Sequence, residues 1–486
     1  MKKISILFLV LTGLILGSCT KNFEDMNKDE KNPPDVDGSY LFANAQKEMM
    51  DQISNTNVNL NIWKLMAQYW TETTYTDEAN YDIVNRTIPD NLFRTYYVNV
   101  LKPLDQAKKL ISEAALTAVE TEVTRQNKLY IIELHEIYVY HNLVNMFGNV
   151  PYTEALNIVD FPNPKYDDAA TIYADLLDRL NTIYNGLNES ADPVSGDPVG
   201  SFGSQDIIYG GNVAAWKKFA NSLRLKIAIN LADVDAAKAQ ENVEAAVTAG
   251  VFTSASDNAL FQYRGSTPNT NPLYEDLYLS GRKDFVPANT IMDLMESLND
   301  PRMDIYFQDK IDGAWVPGIY GASNAYSNTS HINEIISEKA DFPGILMTYS
   351  EVEFYIAEAA ARGYNVGQTA EDAYNEAIRA SFAFWNVGGA DDYIATVPYD
   401  ANNWKESIGT QAYIAFYTRG FIAYTEYRRL DVPTMNAAPG AVTGGPVPTR
   451  FTYPINEQTL NADNYYQAAE AIGGDDLLTK LFWDKY

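Results

Sequence analysis

The chain has 486 residues, with 64 acidic side chains against 36 Lys and Arg and a formal charge of −28. A surface this acidic repels phosphate backbones, which argues against nucleic acid as a partner. Tyrosine is abundant at 34 residues, and its ring combines an apolar face with a polar tip. Such rings serve helix packing, protein interfaces and sugar-binding platforms alike, so composition leaves these three roles open.

The start of the chain follows the pattern of a bacterial export signal. Residues 1–3 include two lysines, residues 4–16 are mostly aliphatic, and residues 17–18 are small. This order is typical of a secretory signal peptide. The apolar run is shorter than the roughly 20 residues that a membrane-spanning helix needs. We therefore predict that residues 1–18 are removed after export.

Cys19 gives this signal a more specific interpretation. The segment Leu16-Gly17-Ser18-Cys19 resembles the lipobox of bacterial lipoproteins, in which the cysteine is acylated and becomes the first residue. Cys19 is the only cysteine in the chain, and a leftover thiol in a secreted protein would otherwise be unusual. We predict a lipid anchor at Cys19, which attaches the chain to a membrane. The alternative is an ordinary signal peptide with a chance cysteine.

The segment after the anchor is polar. Residues 19–39 are rich in Asn, Asp, Lys and Pro, a composition that does not bury a core. We predict that they form a tether. The remaining residues 40–486 are numerous enough for one large core, and they are predicted to form a single domain.

Apolar residues recur at helical spacing through most of this domain. Asn212 is placed to cap the helix that begins before Trp216. Strand patterns are few and short, so the predicted fold class is mostly α. The spacing predicts further helices near residues 62–70 and over residues 92–115, 125–147 and 171–187.

The sharpest helix boundaries lie between residues 350 and 385. Ser350 and Glu353 fit a capping box, Gly363 fits a helix end, and Thr369 with Asp372 fits the next start. The pair is close in length to the roughly 34-residue tetratricopeptide unit. Long irregular loops separate the helices, and loops of this length are often functional; they cover residues 188–212, 263–287, 311–333 and 437–454.

Catalytic chemistry has little support in the sequence. His135 and His141 are six residues apart, which turns the two rings away from a shared zinc site on one helix face. The chain has no nucleophile elbow and no phosphate-binding glycine motif. The acidic segment 77–82 offers oxygen ligands for a structural calcium ion, but it lacks the EF-hand pattern, and a solvated loop is the simpler interpretation. We predict no cofactor.

Several segments together resemble the SusD/RagB family of outer-membrane lipoproteins, and its second SusD-like subgroup in particular. They follow the family's order over nearly the whole chain. The matching segments are FGNVPYTEA at 147–155, DIIYGGN at 206–212, WKKFANSLRL at 216–225, NDPRM at 299–303, the helix at 350–363, RRLDVP at 428–433, RFTYP at 450–454, Glu457 and Asn464-Tyr465.

This resemblance implies an α-superhelical fold scaffolded by four tetratricopeptide-like helix pairs, with the ligand site on the loop-rich side. It implies no enzymatic activity. The implied role is a hinged lid that captures a glycan or a peptide and delivers it to a SusC-like TonB-dependent transporter. The implied location is the outer membrane, lipid-anchored and facing the cell exterior. The segment 20–25 only partly resembles the family's surface-export signal, and Asn212 stands where the family often has Asp.

No ligand-binding residue carries over by motif, so the candidates come from aromatic and amide side chains in polar loops. Rings stack on sugar faces and amides bind hydroxyl groups, which is a common combination in specific pockets. The alternative for each candidate is loop packing or contact with the transporter. The predicted ligand-binding residues are Tyr75, Tyr81, Trp315, Tyr320, Asn324 and Tyr326.

Two other functions compete with nutrient capture. One is a surface glycan-degrading enzyme built on a helical ring, which would release new reducing ends from a glycan. The other is a tetratricopeptide scaffold at the periplasmic face, which would be protected from protease added to intact cells. Within nutrient capture, glycan is the preferred cargo and oligopeptide the alternative.

Overall fold

The computed structural model describes residues 36–117, 120–189 and 200–485. The predicted signal peptide, Cys19 and most of the predicted tether therefore lie outside the described residues. The first helix begins at Gly38, where the Asp37 carboxylate accepts a hydrogen bond from the Ser39 amide. Its start is thus two residues earlier than the predicted start of the domain at residue 40.

Helices dominate the described part of the chain, which confirms the predicted fold class. The α-helices are α1 Gly38–Ser54, α2 Trp63–Met66, α3 Ile88–Arg94, α4 Lys102–Glu113, α5 Glu122–Phe147, α6 Ala169–Gly186, α7 Val213–Ile229, α8 Ala236–Ala249, α9 Pro272–Tyr274, α10 Asn289–Ser297, α11 Met303–Tyr306, α12 Glu334–Ser337, α13 Tyr349–Ala361, α14 Ala370–Phe384, α15 Ala390–Ile394, α16 Trp404–Ala415, α17 Gly420–Leu430, α18 Ile455–Leu460 and α19 Ala462–Ala471.

The other elements are short. Two π-helical turns cover Thr95–Leu101 and Glu275–Leu279, and 3₁₀ turns cover Gly203–Gln205, Ala255–Asp257, Tyr326–Asn328 and Ala401–Asn403. The strands are β1 Trp70–Glu72, β2 Ala259–Phe261, β3 Phe285–Pro287, β4 Phe307–Gln308, β5 His331–Ile332 and β6 Gly344–Met347. They form the antiparallel pairs β1–β3, β2–β6 and β4–β5.

Helices that are near one another in the sequence pack together through the first half of the chain. α4 packs on α1, α5 on α4, α6 on α5, α7 on α6 and α8 on α7. The predicted helix over 92–115 is continuous but combines α-helical and π-helical turns, because α3 runs through the first π turn into α4. Asn212 caps α7 as predicted, since its side chain accepts a hydrogen bond from the Ala215 amide at 3.1 Å.

The predicted helix pair at 350–385 is α13 packed on α14. Thr369 caps α14 as predicted, and Gly363 follows α13 with a φ of 86°. The predicted capping box at Ser350 is wrong. Thr348 is the cap, accepting from the Glu351 amide at 3.2 Å; Ser350 lies inside the helix.

Buried charges join α7, α13 and the C-terminal helices. Glu351 is fully buried and accepts from the ammonium group of Lys226 at 2.9 Å and from Arg419. These two cations lower the pKa of Glu351 to about 2, although burial alone would raise it. Because removing one member would leave a buried charge unpaired, the cluster constrains how these helices pack.

No helix among the described residues is long and apolar enough to cross a membrane.

Candidate ligand-binding face

The first strand pair brings two of the predicted loops together. Thr73 follows β1, and its amide and hydroxyl donate to the carbonyls of Asp284 and Lys283 at 2.8 and 2.7 Å. The Thr73 carbonyl in turn accepts from the Asn324 amide at 3.0 Å. We call the surface formed by residues 73–86, 274–287 and 309–333 the loop face.

Asn324 holds the middle of this surface in place. Its side-chain NH₂ group donates to the carbonyls of Glu72 at 3.0 Å and Ala322 at 2.7 Å, and its side-chain oxygen accepts from the Ile319 amide at 2.8 Å. The amide is therefore committed to the backbone of the loop. In this structure Asn324 shapes the loop face, and its NH₂ group is bonded to loop carbonyls.

Tyr326 belongs to a stack of charged and aromatic groups. Its ring lies 3.8 Å from the imidazole of His331 with an angle of 15° between the planes, and the Lys283 ammonium group lies 4.8 Å from its centroid. The two nitrogens of His331 contact the Asp309 carboxylate at 2.6 Å and the Tyr326 carbonyl at 2.9 Å. Burial, then Asp309 and Glu338, raises the pKa of Tyr326. This ring is half-buried but reaches the surface.

Trp315 and Tyr75 offer ring surface in different ways. Trp315 is half-buried, with its centroid 6.0 Å from that of Phe307 and 4.5 Å from the Lys310 ammonium group. Tyr75 is 74% exposed and has a φ of 57°, which places it at a left-handed turn just after β1. Both rings therefore stay in the candidate set together with Tyr326.

Tyr81 and Tyr320, two of the predicted ligand-binding residues, are buried in this structure. Their exposed fractions are 0% and 1%, so neither ring has surface to offer a ligand. The Tyr81 hydroxyl accepts from the Gln68 amide at 3.1 Å, and the Tyr320 hydroxyl donates to the Leu65 carbonyl at 2.9 Å. These rings are the floor beneath the loop face. A polar local sequence hid this burial, because the partners lie far away in the chain.

Four exposed large apolar side chains of the loop face are not among the candidates from the sequence, namely Val84, Tyr278, Leu279 and Ile319. Tyr278 is 48% exposed and stacks on Tyr274 with centroids 5.2 Å apart, and Ile319 is 63% exposed. The signal for the tyrosines was present, since rings four residues apart share one side of a helical turn. Ile319 had no such signal.

Two carboxyl groups lie beneath the loop face. Glu78 is fully buried and pairs with Arg86, and Glu72 accepts from the Ala79 amide at 3.0 Å. Burial, then the proximity of Glu78, raises the pKa of Glu72 to about 9. Because Glu78 is committed to Arg86, this segment is an internally bonded loop. Within the described residues, no group of three or more His, Cys, Asp or Glu could hold a metal ion.

The two helix histidines are packed in the core. The nitrogens of His135 contact the Ile131 carbonyl at 2.8 Å and the Gln46 side chain at 3.0 Å, and His141 contacts Asn145 at 3.0 Å. Burial lowers the pKa of both imidazoles. This agrees with the interpretation of packed helix histidines.

Two adjoining grooves lie on the helical side. The charged groove, of about 720 Å³, is lined by residues including Lys102, Lys109, Glu133, Asp175 and Arg179. The apolar groove, of about 390 Å³, is lined by residues including Phe93, Tyr97, Val98, Ile158 and Phe161. Lys102, Leu156 and Ile158 line both grooves. None of the predicted ligand-binding residues lines either groove.

The motif order, the helical pairs and the loop face agree with a family match. Residues 30–454 match the SusD-like family described as starch-binding and associating with the outer membrane. The chain belongs to this SusD-like family. It is therefore an outer-membrane nutrient-binding protein of a non-catalytic family, which confirms the predicted family and removes the enzyme alternative.

Solved structures share its fold over nearly the full length. A chitin-binding protein matches with a TM-score of 0.80 and 25% identity, covering 93% of this chain and 100% of its own. A SusD homologue from Bacteroides uniformis matches with a TM-score of 0.79 and 24% identity, over 92% and 99%. A chitin-binding SusD homologue from Flavobacterium johnsoniae gives 0.76 and 24%, over 92% and 98%. No curated protein matches the SusD-like chain in sequence.

Proposed function

We propose that this SusD-like protein captures a glycan on the loop face and delivers it, as a lid, to a SusC-like TonB-dependent transporter. The observation that carries the proposal is the set of ring surfaces at Tyr75, Trp315 and Tyr326 on a face held rigid by Asn324. Rigid rings bind with little loss of conformational freedom on complex formation. Lid motion requires no active-site chemistry.

The chemistry of the face favours a carbohydrate over a charged polymer. Tyrosine and tryptophan offer flat apolar surfaces with polar edges, which fit the alternating CH faces and hydroxyl groups of a sugar chain. The cations Lys283 and Lys310 already cover the rings of Tyr326 and Trp315, so a ligand would bind beside them or displace them. An oligopeptide remains the alternative cargo.

Two structurally similar proteins are named for chitin binding. On that likeness we propose chitin oligosaccharides, which are polymers of an N-acetylated sugar, as the first ligands to test. The acetamido group would supply an amide for hydrogen bonding beside the stacked ring faces. Starch oligosaccharides form the matched comparison, because the family description names starch.

The proposed mature protein begins with acylated Cys19 after removal of residues 1–18. Residues 19–37, which precede α1, would tether the domain to the outer membrane, with the loop face on the exterior side. Protease shaving of intact cells tests this placement, because a surface protein would be cleaved and a periplasmic scaffold would survive.

The ligand test is calorimetry of the purified protein with chitin oligosaccharides, starch oligosaccharides and a random peptide mixture. Saturable binding of one glycan class supports the proposal. Binding of peptide alone would contradict the glycan and favour an oligopeptide as the cargo. New reducing ends in the glycan samples would contradict binding without catalysis. Co-purification of a TonB-dependent transporter from the native outer membrane tests the lid.

A further inference from the structure

We propose that residues 20–35 form a strap that docks along α4, with Phe23 and Met26 in the apolar groove and the charged run 28–31 in the charged groove. This inference rests on the proposed anchor at Cys19, because only a chain cleaved there would carry the strap as its free first segment. The occupant of both grooves is thus a segment of the same chain.

The strap leaves the body of the protein beside the C-terminal end of α4. Gly38 lies so close to this helix that a Cβ atom there would be 2.8 Å from Cγ1 of Ile111 and 2.9 Å from the Ala107 carbonyl oxygen. Val36 and Leu110 line a cavity of about 350 Å³ at this position. The close approach fixes the point from which residues 20–35 extend.

From that point, α4 leads directly to both grooves. Lys109, Gln106 and Lys102 lie three to four residues apart, so they share one face of the helix, and all three line the charged groove. Lys102 also lines the apolar groove. At 1.5 Å per residue, the helical run from Leu110 back to Val98 covers about 18 Å. An extended chain covers up to about 33 Å between Val36 and Met26, so the strap reaches the apolar groove with slack.

The order of chemistry along the strap matches the order of the grooves. Phe23 and Met26 are the only aromatic or aliphatic side chains between residues 20 and 31, and they lie farthest from Val36. The mixed charges of residues 28–31 come between. The charged groove also presents both signs, and its Lys109 has no ion-pair partner among the described residues.

The rim of the apolar groove carries exposed apolar side chains. Ile158 is 76% exposed and Val98 is 52% exposed. Exposed apolar side chains grouped around a groove are typical of an interaction site. One wall, at Tyr97 and Val98, belongs to a π-helical turn, and such turns are frequent at functional sites.

Introduced disulfides test the strap in the purified lipoprotein. Cys19 is the only natural cysteine and is acylated in the proposed form, so the pair Glu24→Cys with Val98→Cys forms the only disulfide. The matched control is Glu24→Cys with Ala115→Cys. Ala115 is exposed and lines the same cavity as Val36, where the strap begins. A free segment would therefore reach Ala115 at least as easily as Val98.

We expect the Val98 pair to form at least tenfold faster than the control pair, and Phe23→Ser to bring its rate down to that of the control. Equal rates for the two pairs, or no effect of Phe23→Ser, would overturn the strap. Alkylation of Val98→Cys at the same rate with and without Phe23→Ser would also overturn it, and would leave the groove to another protein. Intact mass reports the acylation of Cys19 separately, so loss of the anchor and loss of the strap give different results.

Discussion

The buried charge cluster and the loop face use polar side chains in opposite ways. Around Glu351, the charges of Lys226 and Arg419 are satisfied inside the protein. On the loop face, Asn324 satisfies the backbone while the rings of Tyr75 and Trp315 keep free surface. The first region fixes how the helices pack. The second presents a surface whose loops are fixed by hydrogen bonds from beneath, and a binding site built on loops requires such support.

The largest expected change in stability comes from disrupting the buried charge cluster. Glu351→Ala would leave Lys226 and Arg419 as buried unpaired cations, and we expect a loss of about 3–5 kcal/mol in the free energy of unfolding. Urea denaturation of the folded variant measures it. The matched control is Asp391→Ala, which removes an exposed partner of Arg379 and should change stability by less than about 1 kcal/mol. Equal losses in both variants would show that the cluster does not hold the helices.

Much of the helical region could be predicted from the sequence. The spacing of apolar residues located α5 and α6 within two or three residues, and Asn212 and Thr369 were recognised as caps. Thr348 was missed as a cap because Ser350 and Glu353 mimic the same motif two residues later. Local patterns are sufficient here, since a helix takes its hydrogen bonds and caps from neighbours in the sequence.

The loop face could be predicted only in part, because its geometry depends on distant residues. Tyr75 and Tyr81 are six residues apart in the same polar segment, yet one is 74% exposed and the other fully buried. The difference arises from Gln68, which donates to the Tyr81 hydroxyl, and from the pairing of β1 with β3. Periodicity carries no information on such contacts.

The pH dependence of stability tests the raised pKa of Glu72, which lies beneath the loop face. Burial raises the pKa of Glu72 to about 9, so the folded protein holds a proton that the unfolded chain releases above about pH 4.5. This contribution to stability is present below about pH 4.5 and is lost as the pH rises through about 9. Glu72→Gln keeps an acceptor for the Ala79 amide but does not ionise. We expect the variant to become increasingly more stable than wild type between pH 5 and 9 in thermal unfolding; a constant difference would contradict the raised pKa.

A smaller effect is expected from Asn324→Ala. The substitution removes side-chain hydrogen bonds to a half-buried loop, and each is worth about 0.5–1.5 kcal/mol. We expect roughly tenfold faster amide hydrogen exchange in residues 319–326 with little change in the global unfolding midpoint. Unchanged exchange in this segment would show that the loop is held by other contacts. The exposed Asn185→Ala serves as the control.

The most direct test compares exposed and buried rings by two measurements on each variant, ligand affinity and unfolding midpoint. The account predicts that Tyr75→Ala and Trp315→Ala weaken binding of the preferred glycan by about 2–10-fold each, as expected for loss of a stacked ring, with little change in midpoint. Tyr320→Phe removes the hydrogen bond to Leu65 and should lower stability by about 1 kcal/mol without changing affinity. Full affinity in both exposed-ring variants, or a loss of affinity confined to Tyr320→Phe, would contradict the loop face as the binding site.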